Sequence, residues 1–288
     1  MIEIYFQESL DAAKVYELFC LQQQIQNINY IELKFDQENI ISIIMKKHNK
    51  AVIKTLVIPV LTGFIIQTKE DHWMLSMLED IFYFSDHEEK HQILEIAHSI
   101  VEGEREEIPT TTDLAPREKL IMKALQEFLV VPISFSFESF LKFRLRKYTE
   151  RLLHYVEVSI DEYKLEQEYQ NFIQTLRDFT SERMAKMEHV NILHGDQLTI
   201  YNEHFTELRK NELMKFVDRK LFQNHPMHID SSIIAPLVSI APEVIHLYTN
   251  QVDHGIVQTI RNIFQERVQI FSKKEFQIAQ HIRLHKKI

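Results

Sequence analysis

Thiols, glycines and positive charge are all scarce in this chain, and each shortage excludes something. A single cysteine, Cys20, rules out an intramolecular disulfide and any site that needs two thiolates. A reducing compartment, the cytoplasm, is the natural setting for such a chain. Only 4 Gly and 7 Pro in 288 residues leave too few turn residues for an all-β fold built on tight turns. With 33 Lys and Arg against 42 Asp and Glu, the net charge of −9 works against broad binding of nucleic acid, although a local basic patch can still act. Long apolar runs are missing too. The most apolar stretch, AVIKTLVIPVLTGFII at 51–66, is shorter than the roughly 20 residues of a spanning helix and contains Lys54, Pro59 and Gly63. It reads as a buried core helix, so no membrane span is expected. The start, MIEIYFQESLDAAK, has neither the basic nor the long apolar region of a secretory signal.

What the chain does contain is the material of a globular core: 45% hydrophobic and 26% charged residues, enough for one large domain or two ordinary ones. Residues 2–6, 30–35 and 39–45 read as strands, the last two as a hairpin around Asp36-Gln37-Glu38-Asn39, with an amphipathic helix from about Ser9 to Gln24 capped by Ser9 or Asp11. Between Asn49 and Val101 the apolar spacing turns helical. The stretch EGEREEIPTTTDLAP gathers Gly, Pro and Thr and reads as a linker. Helix resumes at Pro116 and stops before Pro132. From Ser136 to Met187 neither Gly nor Pro occurs; a single helix there would be about 75 Å long at 1.5 Å per residue, so a break or hairpin is expected. HVNILHGDQLTIY reads as two strands around His194-Gly195-Asp196, with helices near 207–222 and 230–240. VIHLYT, a helix from about Asp253 to Gln265, and VQIFS then form a strand-helix-strand unit with parallel strands. The expectation is a helix-rich α+β protein: an N-terminal β-α-β-β unit with covering helices (1–103), a linker (104–116), a helical region (117–187) and a C-terminal α/β unit (188–288).

The most conspicuous motif is His87-Glu88-Glu89-Lys90-His91, which matches the H-E-x-x-H pattern of zinc peptidases. Two histidines at i, i+4 do share a helical face, but Ser85 and Asp86 read as the helix N-cap, which puts His87 in a solvated first turn. Lys90 brings a cation beside the proposed metal, and Ala97 stands where an extended motif needs its third histidine. His87, Glu88 and His91 are therefore rejected as metal ligands, and no cofactor is expected. His225 and His228 with Asp230 form a second His pair, in a loop, where Asp230 or Ser231 reads better as the cap of the next helix. Glu157, Asp161, Glu162, Glu166 and Glu168 crowd one stretch. Lys164 within their stripe marks a solvated edge rather than a carboxylate pair. Thr249, Asn250 and Asp253 follow a predicted strand at its carboxyl end, where α/β proteins bind ligands, but without a glycine fingerprint.

LKFRLRKYTER is the most informative charged run. Lys142, Arg144, Arg146, Lys147 and Arg151 lie within ten residues and alternate with Phe143 and Tyr148. Such a helix can track phosphates while an aromatic ring stacks on a base; it can equally be a core helix with a cationic outer side, because Leu141, Leu145, Tyr148 and Leu152 share its other face. These five cations are the candidate partner-binding residues.

Three segments carry a family resemblance: FLKFRLRKYTERLLHYVEVSIDEYKLEQEYQNFIQTLRDF at 140–179, IIAPLVSIAPEVIHLY at 233–248 and IVQTIRNIFQERVQIF at 256–271. With LEDIFYFSDHEEKHQILEIA they resemble the YtxC-like sporulation proteins of endospore-forming bacteria over about residues 65–271. The resemblance implies a cytoplasmic protein connected with sporulation and supplies no catalytic residues. The leading expectation is a non-enzymatic protein acting through an unidentified protein partner. The second is nucleic-acid or other anionic-partner binding through the helix 142–151. The third is a hydrolase, zinc-dependent or carboxylate-based.

Overall fold

The computed structural model describes residues 1–36, 38–46, 49–105, 108, 116–217 and 231–285, and is α+β and helix-rich. It divides into two compact units, Met1–Lys164 and Leu165–Ile288. His225, His228 and Asp230, and most of the linker stretch, lie outside the described residues.

In the first unit, β1 (Ile2–Tyr5), β2 (Ile31–Phe35), β3 (Ile40–Met45) and β4 (Ser134–Ser136) form a sheet in the order β2-β3-β1-β4. Alternation sets the register: Ile2 and Ile4 pair with Ile43 and Ile41, all fully buried, while Glu3 and Tyr5 face the other way. The β2–β3 turn is held by Asp36, whose Oδ1 accepts the N–H groups of Glu38 at 2.9 Å and Ile40 at 3.1 Å, with Asn39 at φ 61. Helix α1 (Ser9–Ile25) buries Ala12, Val15 and Phe19. Its N-cap position is Glu8, without a side-chain cap, and not Ser9 or Asp11 as the sequence suggests.

A long helical run follows, in which α2 (Asn49–Val52), α3 (Ile58–Phe64) and α4 (Glu70–Asp80) are joined by π-helical turns at Ile53–Val57 and Ile65–Lys69. The Ile58 N–H reaches the Ile53 carbonyl and the Glu70 N–H reaches that of Ile65, the i to i+5 pattern of a π turn. Pro59 cannot donate to the Thr55 carbonyl four residues back; Nε2 of Gln26, the C-cap residue of α1, does so instead, at 3.1 Å. The sequence reading ends the apolar run at Ile66, whereas the helix continues to Asp80. Lys50–Asp80 is long and apolar enough to cross a membrane by length and composition, with mean hydropathy 1.7 in its most apolar window. Yet 56% of that window is buried inside the protein: Leu56, Leu61 and Phe64 are fully enclosed by the sheet unit's core. Each such burial is worth about 1.5–3 kcal/mol. Helix α5 (His87–Val101) packs Ile93, Ile96, Ala97 and Ile100 into the same core.

Helix α6 (Arg117–Phe128) leads to β4, which pairs in parallel with β1 through Ile4 and Phe135. Then come α7 (Phe137–Arg144) and α8 (Arg146–Ser181), which runs on through the division at Lys164. The expected interruption is thus a single break at Leu145.

In the second unit β5 (His189–His194) and β6 (Leu198–Asn202) form the hairpin, α9 (Lys210–Phe216) and α10 (Ser231–Ile240) follow, and β7 (Val244–Tyr248), α11 (Gly255–Phe264) and β8 (Val268–Phe271) make the parallel crossover, before α12 (Lys273–His285). The order is β6-β5-β7-β8, with β5 and β7 also parallel. One sheet face, with Val190, Ile192, Ile245 and Leu247, packs with α10 and α11 into an apolar core. The other face carries His189, Asn191, His246 and Tyr248, the last against Phe276 of α12 at 5.1 Å.

Candidate functional site

The break at Leu145 organises the predicted basic run. Helix α7 is started by Ser136, whose Oγ accepts the Ser139 N–H at 3.2 Å, and it buries Phe137 and Phe140. Leu145 is itself 1% exposed, and its carbonyl accepts the N–H groups of Tyr148 and Thr149, both at 2.9 Å, which opens α8. Sinking Leu145 into the core stops one helix and starts the next without Gly or Pro. It also splays the cations that precede it from those that follow.

Between α6 and the break lies a cavity of about 410 Å³, lined by Lys123, Glu127, Phe128, Phe143, Arg144, Arg146, Lys147 and Tyr148 among others. Of the five predicted cations, Arg144, Arg146 and Lys147 come together here. Lys142 is exposed elsewhere, its ammonium 5.8 Å from the Phe143 ring centre. Arg151 turns to Tyr155, with Nε donating to the phenol oxygen at 2.7 Å and the guanidinium over that ring. Lys123 joins from α6, as no pattern in the sequence indicates. The two aromatic residues of the run part as well: Phe143 is 71% exposed at the rim, while Tyr148 is 1% exposed and cannot stack on a ligand.

Most of these cations are only lightly engaged. Arg144 lies over the Phe128 ring at 5.4 Å, Arg146 Nε meets Glu150 at 2.9 Å on the surface, and Lys123 stands 4.0 Å from Glu127. Lys147 has no ion pair among the described residues. Surface pairs of this kind contribute about 0–1 kcal/mol and are easily exchanged for a better anion. The first N–H groups of α8 add their partial positive charge at the same place.

Behind the cavity, Tyr148 donates to Glu70 Oε1 at 2.5 Å, and Arg117 Nη1 meets Glu70 Oε2 at 3.3 Å. Glu70 is 3% exposed, and burial raises its pKa against the opposing pull of Tyr148 and Arg117. Burial, then the Glu70 charge, pushes Tyr148 far up, so its proton stays in place at any physiological pH. The sequence reading passes over this pair. Its only signal is that Glu70, Met74 and Leu78 fall on one helical stripe, an acid where core is expected.

The zinc-like motif sits at the start of α5. Asp86 caps that helix by accepting the Glu89 N–H at 2.9 Å, His87 lies in the first turn, and His87, Glu88 and His91 are all exposed. Their neighbours are local: Gln92 donates to Glu88 at 3.2 Å, His91 Nδ1 stands 3.5 Å from Glu95, and Lys90 pairs with Glu79. No group of three potential ligands able to hold a metal occurs among the described residues. Glu157, Asp161, Lys164 and Glu168 are exposed along α8.

The model of the YtxC-like family matches residues 55–269, a span that takes in the cavity and the second sheet as far as the start of β8. The chain belongs to the YtxC-like family. Within it, the protein described as "Uncharacterized protein YtxC" from Bacillus subtilis (strain 168) is 39% identical over 281 residues, which is 97% of both chains. No solved structure matches.

Proposed function

We propose that this member of the YtxC-like family is a non-enzymatic cytoplasmic protein of sporulating cells that works by holding a protein partner. The cationic cavity takes an acidic segment of that partner, with one apolar side chain set against Phe143 and Phe128. One observation carries this reading: Lys123, Arg144, Arg146 and Lys147 surround an open cavity beside a 71% exposed phenylalanine, on a chain whose net charge is −9. Local complementarity of this kind steers and orients an acidic peptide. A long polyanion meets the repulsion of the whole chain as well as the attraction of the patch. Cytoplasmic residence is supported by the single cysteine, and the link with sporulation by the family resemblance.

The test is a photo-crosslinking residue in place of Phe143, expressed in sporulating cells, together with an Arg144→Gln/Lys147→Gln variant of the same protein. The expected result is a defined protein adduct that disappears in the charge variant while the circular dichroism of the purified variant is unchanged. Adducts to nucleic acid, or a protein adduct indifferent to the charge change, overturn the proposal.

A further inference from the structure

The second unit carries a different site, independent of the cationic cavity. Strands β5 and β7 lie side by side and parallel, but the chain leaves them in opposite directions, β5 into the hairpin with β6 and β7 toward β8 on the far side. Neighbouring parallel strands whose connections diverge open a crevice at their carboxyl ends, the usual ligand position in open α/β sheets. Two side chains join across it: His194, the last residue of β5, and Thr249, just after β7, with Nδ1 and Oγ1 2.9 Å apart.

His194 is 6% exposed. Thr249 Oγ1 accepts the Gln251 N–H at 2.9 Å and keeps both its own proton and a second lone pair for His194 Nδ1; an anion at Nε2 selects the tautomer in which the hydroxyl donates to Nδ1 and the ring carries its proton on Nε2. Burial first, then the nearby His254 and Lys273, lower the His194 pKa and keep the ring neutral. Nε2 makes no hydrogen bond among the described residues, and the ring lies edge-on to His254, 4.7 Å between centres. His254 is the N-cap of α11. The N–H groups of Gly255 and Ile256 that open this ten-residue helix have no partner among the described residues, since the His254 carbonyl takes those of Val257 and Gln258. Lys273 is fastened to the same loop, its N–H donating to Asn250 Oδ1 at 3.3 Å. The nearby acids are turned to other work or to water: Glu275 accepts from Ser272, and Asp253 is exposed.

We propose that this carboxyl edge binds the phosphate group of a small phosphomonoester. Its oxygens take the N–H groups of Gly255 and Ile256, the Lys273 ammonium and the His194 Nε2–H. A helix N-terminus, an imidazole with one uncommitted nitrogen and a half-buried cation together suit a compact dianion. The residues that follow β7 need no glycine-rich turn here, because His254 caps the helix in extended backbone (φ −65, ψ 135) and hands over directly to Gly255.

Gly255 also supplies a selective test. A Cβ there meets no atom within 4 Å, and proline is well suited to the first helical position, where the extended backbone of His254 also accommodates it. Gly255→Pro therefore keeps the helix and deletes one donor, while Gly255→Ala keeps the donor. The full chain is titrated with glycerol 1-phosphate, inorganic phosphate, and glycerol as the uncharged control, following the His194 imidazole resonances by NMR. Saturable shifts with glycerol 1-phosphate and none with glycerol are expected, with Gly255→Ala unchanged and Gly255→Pro about tenfold weaker, the loss of one hydrogen bond to a charged group. Lys273→Gln should weaken binding to a similar degree and serves if the proline variant fails to fold. Tighter binding of inorganic phosphate than of the ester, no movement of His194, or undiminished affinity in both Gly255→Pro and Lys273→Gln overturns the proposal.

Discussion

Glu70 in the first unit and His194 in the second are buried to nearly the same degree, at 3% and 6% exposure, yet their surroundings differ in kind. Glu70 is met by a phenol and a guanidinium on separate helices, so both carboxylate oxygens are occupied from within the protein. His194 has one nitrogen tied to Thr249 and the other left over. The sheet it belongs to repeats the theme on its other face, where the His189 and His246 rings stand 4.2 Å apart and His189 Nε2 is buried without a partner among the described residues. Polar groups that close on each other hold a fold together; a buried polar group left without a partner is rare in folded proteins and asks for a reason. Burial also moves the titrating groups of these two sites in opposite directions. Burial raises Glu70, whereas burial, with the neighbouring histidine, lowers His194 and His246, and burial lowers His189.

The contrast is most strongly challenged by Tyr148→Phe. It removes the hydroxyl from Glu70 and leaves that carboxylate facing Arg117 alone in a buried site. A loss of about 1–3 kcal/mol is expected by urea denaturation at neutral pH. A loss below about 0.5 kcal/mol, the range of an ordinary surface change, would mean the first unit does not depend on this closure.

A smaller effect should separate the units by pH. A histidine with a lowered pKa contributes stability that is complete above its unfolded value near 6.5 and is lost as pH falls through the folded value. A carboxyl with a raised pKa does the reverse: its contribution is complete below about 4.5 and is lost as pH rises through the folded value. Hydrogen exchange, corrected for intrinsic rates, should therefore show β5 and β7 losing protection between neutral pH and pH about 5, while α4 does not lose protection with them. Equal loss in both units would break the comparison.

The smallest effect expected is that of His91→Ala. With its ring exposed beside Glu95, this change should alter stability by less than about 0.5 kcal/mol and leave the pH response of both units untouched. A changed slope would move the source of the pH response from the buried histidines to the surface.

Local patterns carried much of this structure. The alternation of Ile2 with Ile4, and of Ile41 with Ile43, and the three-four spacing of α5 and α11 are visible to the eye, as is the Asp86 cap. What the sequence hides depends on distant partners. Strand β4 is three residues long and follows Pro132 closely, and only its parallel pairing with β1, more than a hundred residues away in the chain, makes it a strand. The cluster of cations was legible, but the choice of Arg144, Arg146 and Lys147 was not. It follows from the burial of Leu145, which breaks the helical phase without any breaker residue, and from Lys123 arriving on α6. In the second unit the strand before Thr249, Asn250 and Asp253 was legible, while the pairing of His194 with Thr249 required knowing that β5 and β7 are neighbours.

The π-helical turns at Ile53–Val57 and Ile65–Lys69 have a consequence for aligning members of the family. Each turn accommodates one residue more than an α turn while the helix on either side keeps the same face toward the core. A relative with a one-residue gap at either place can close that turn to ordinary α-helix and still direct the positions equivalent to Leu56, Phe64 and Glu70 inward. A gap there should be scored as a change of helical winding, with the buried contacts on both sides kept in register.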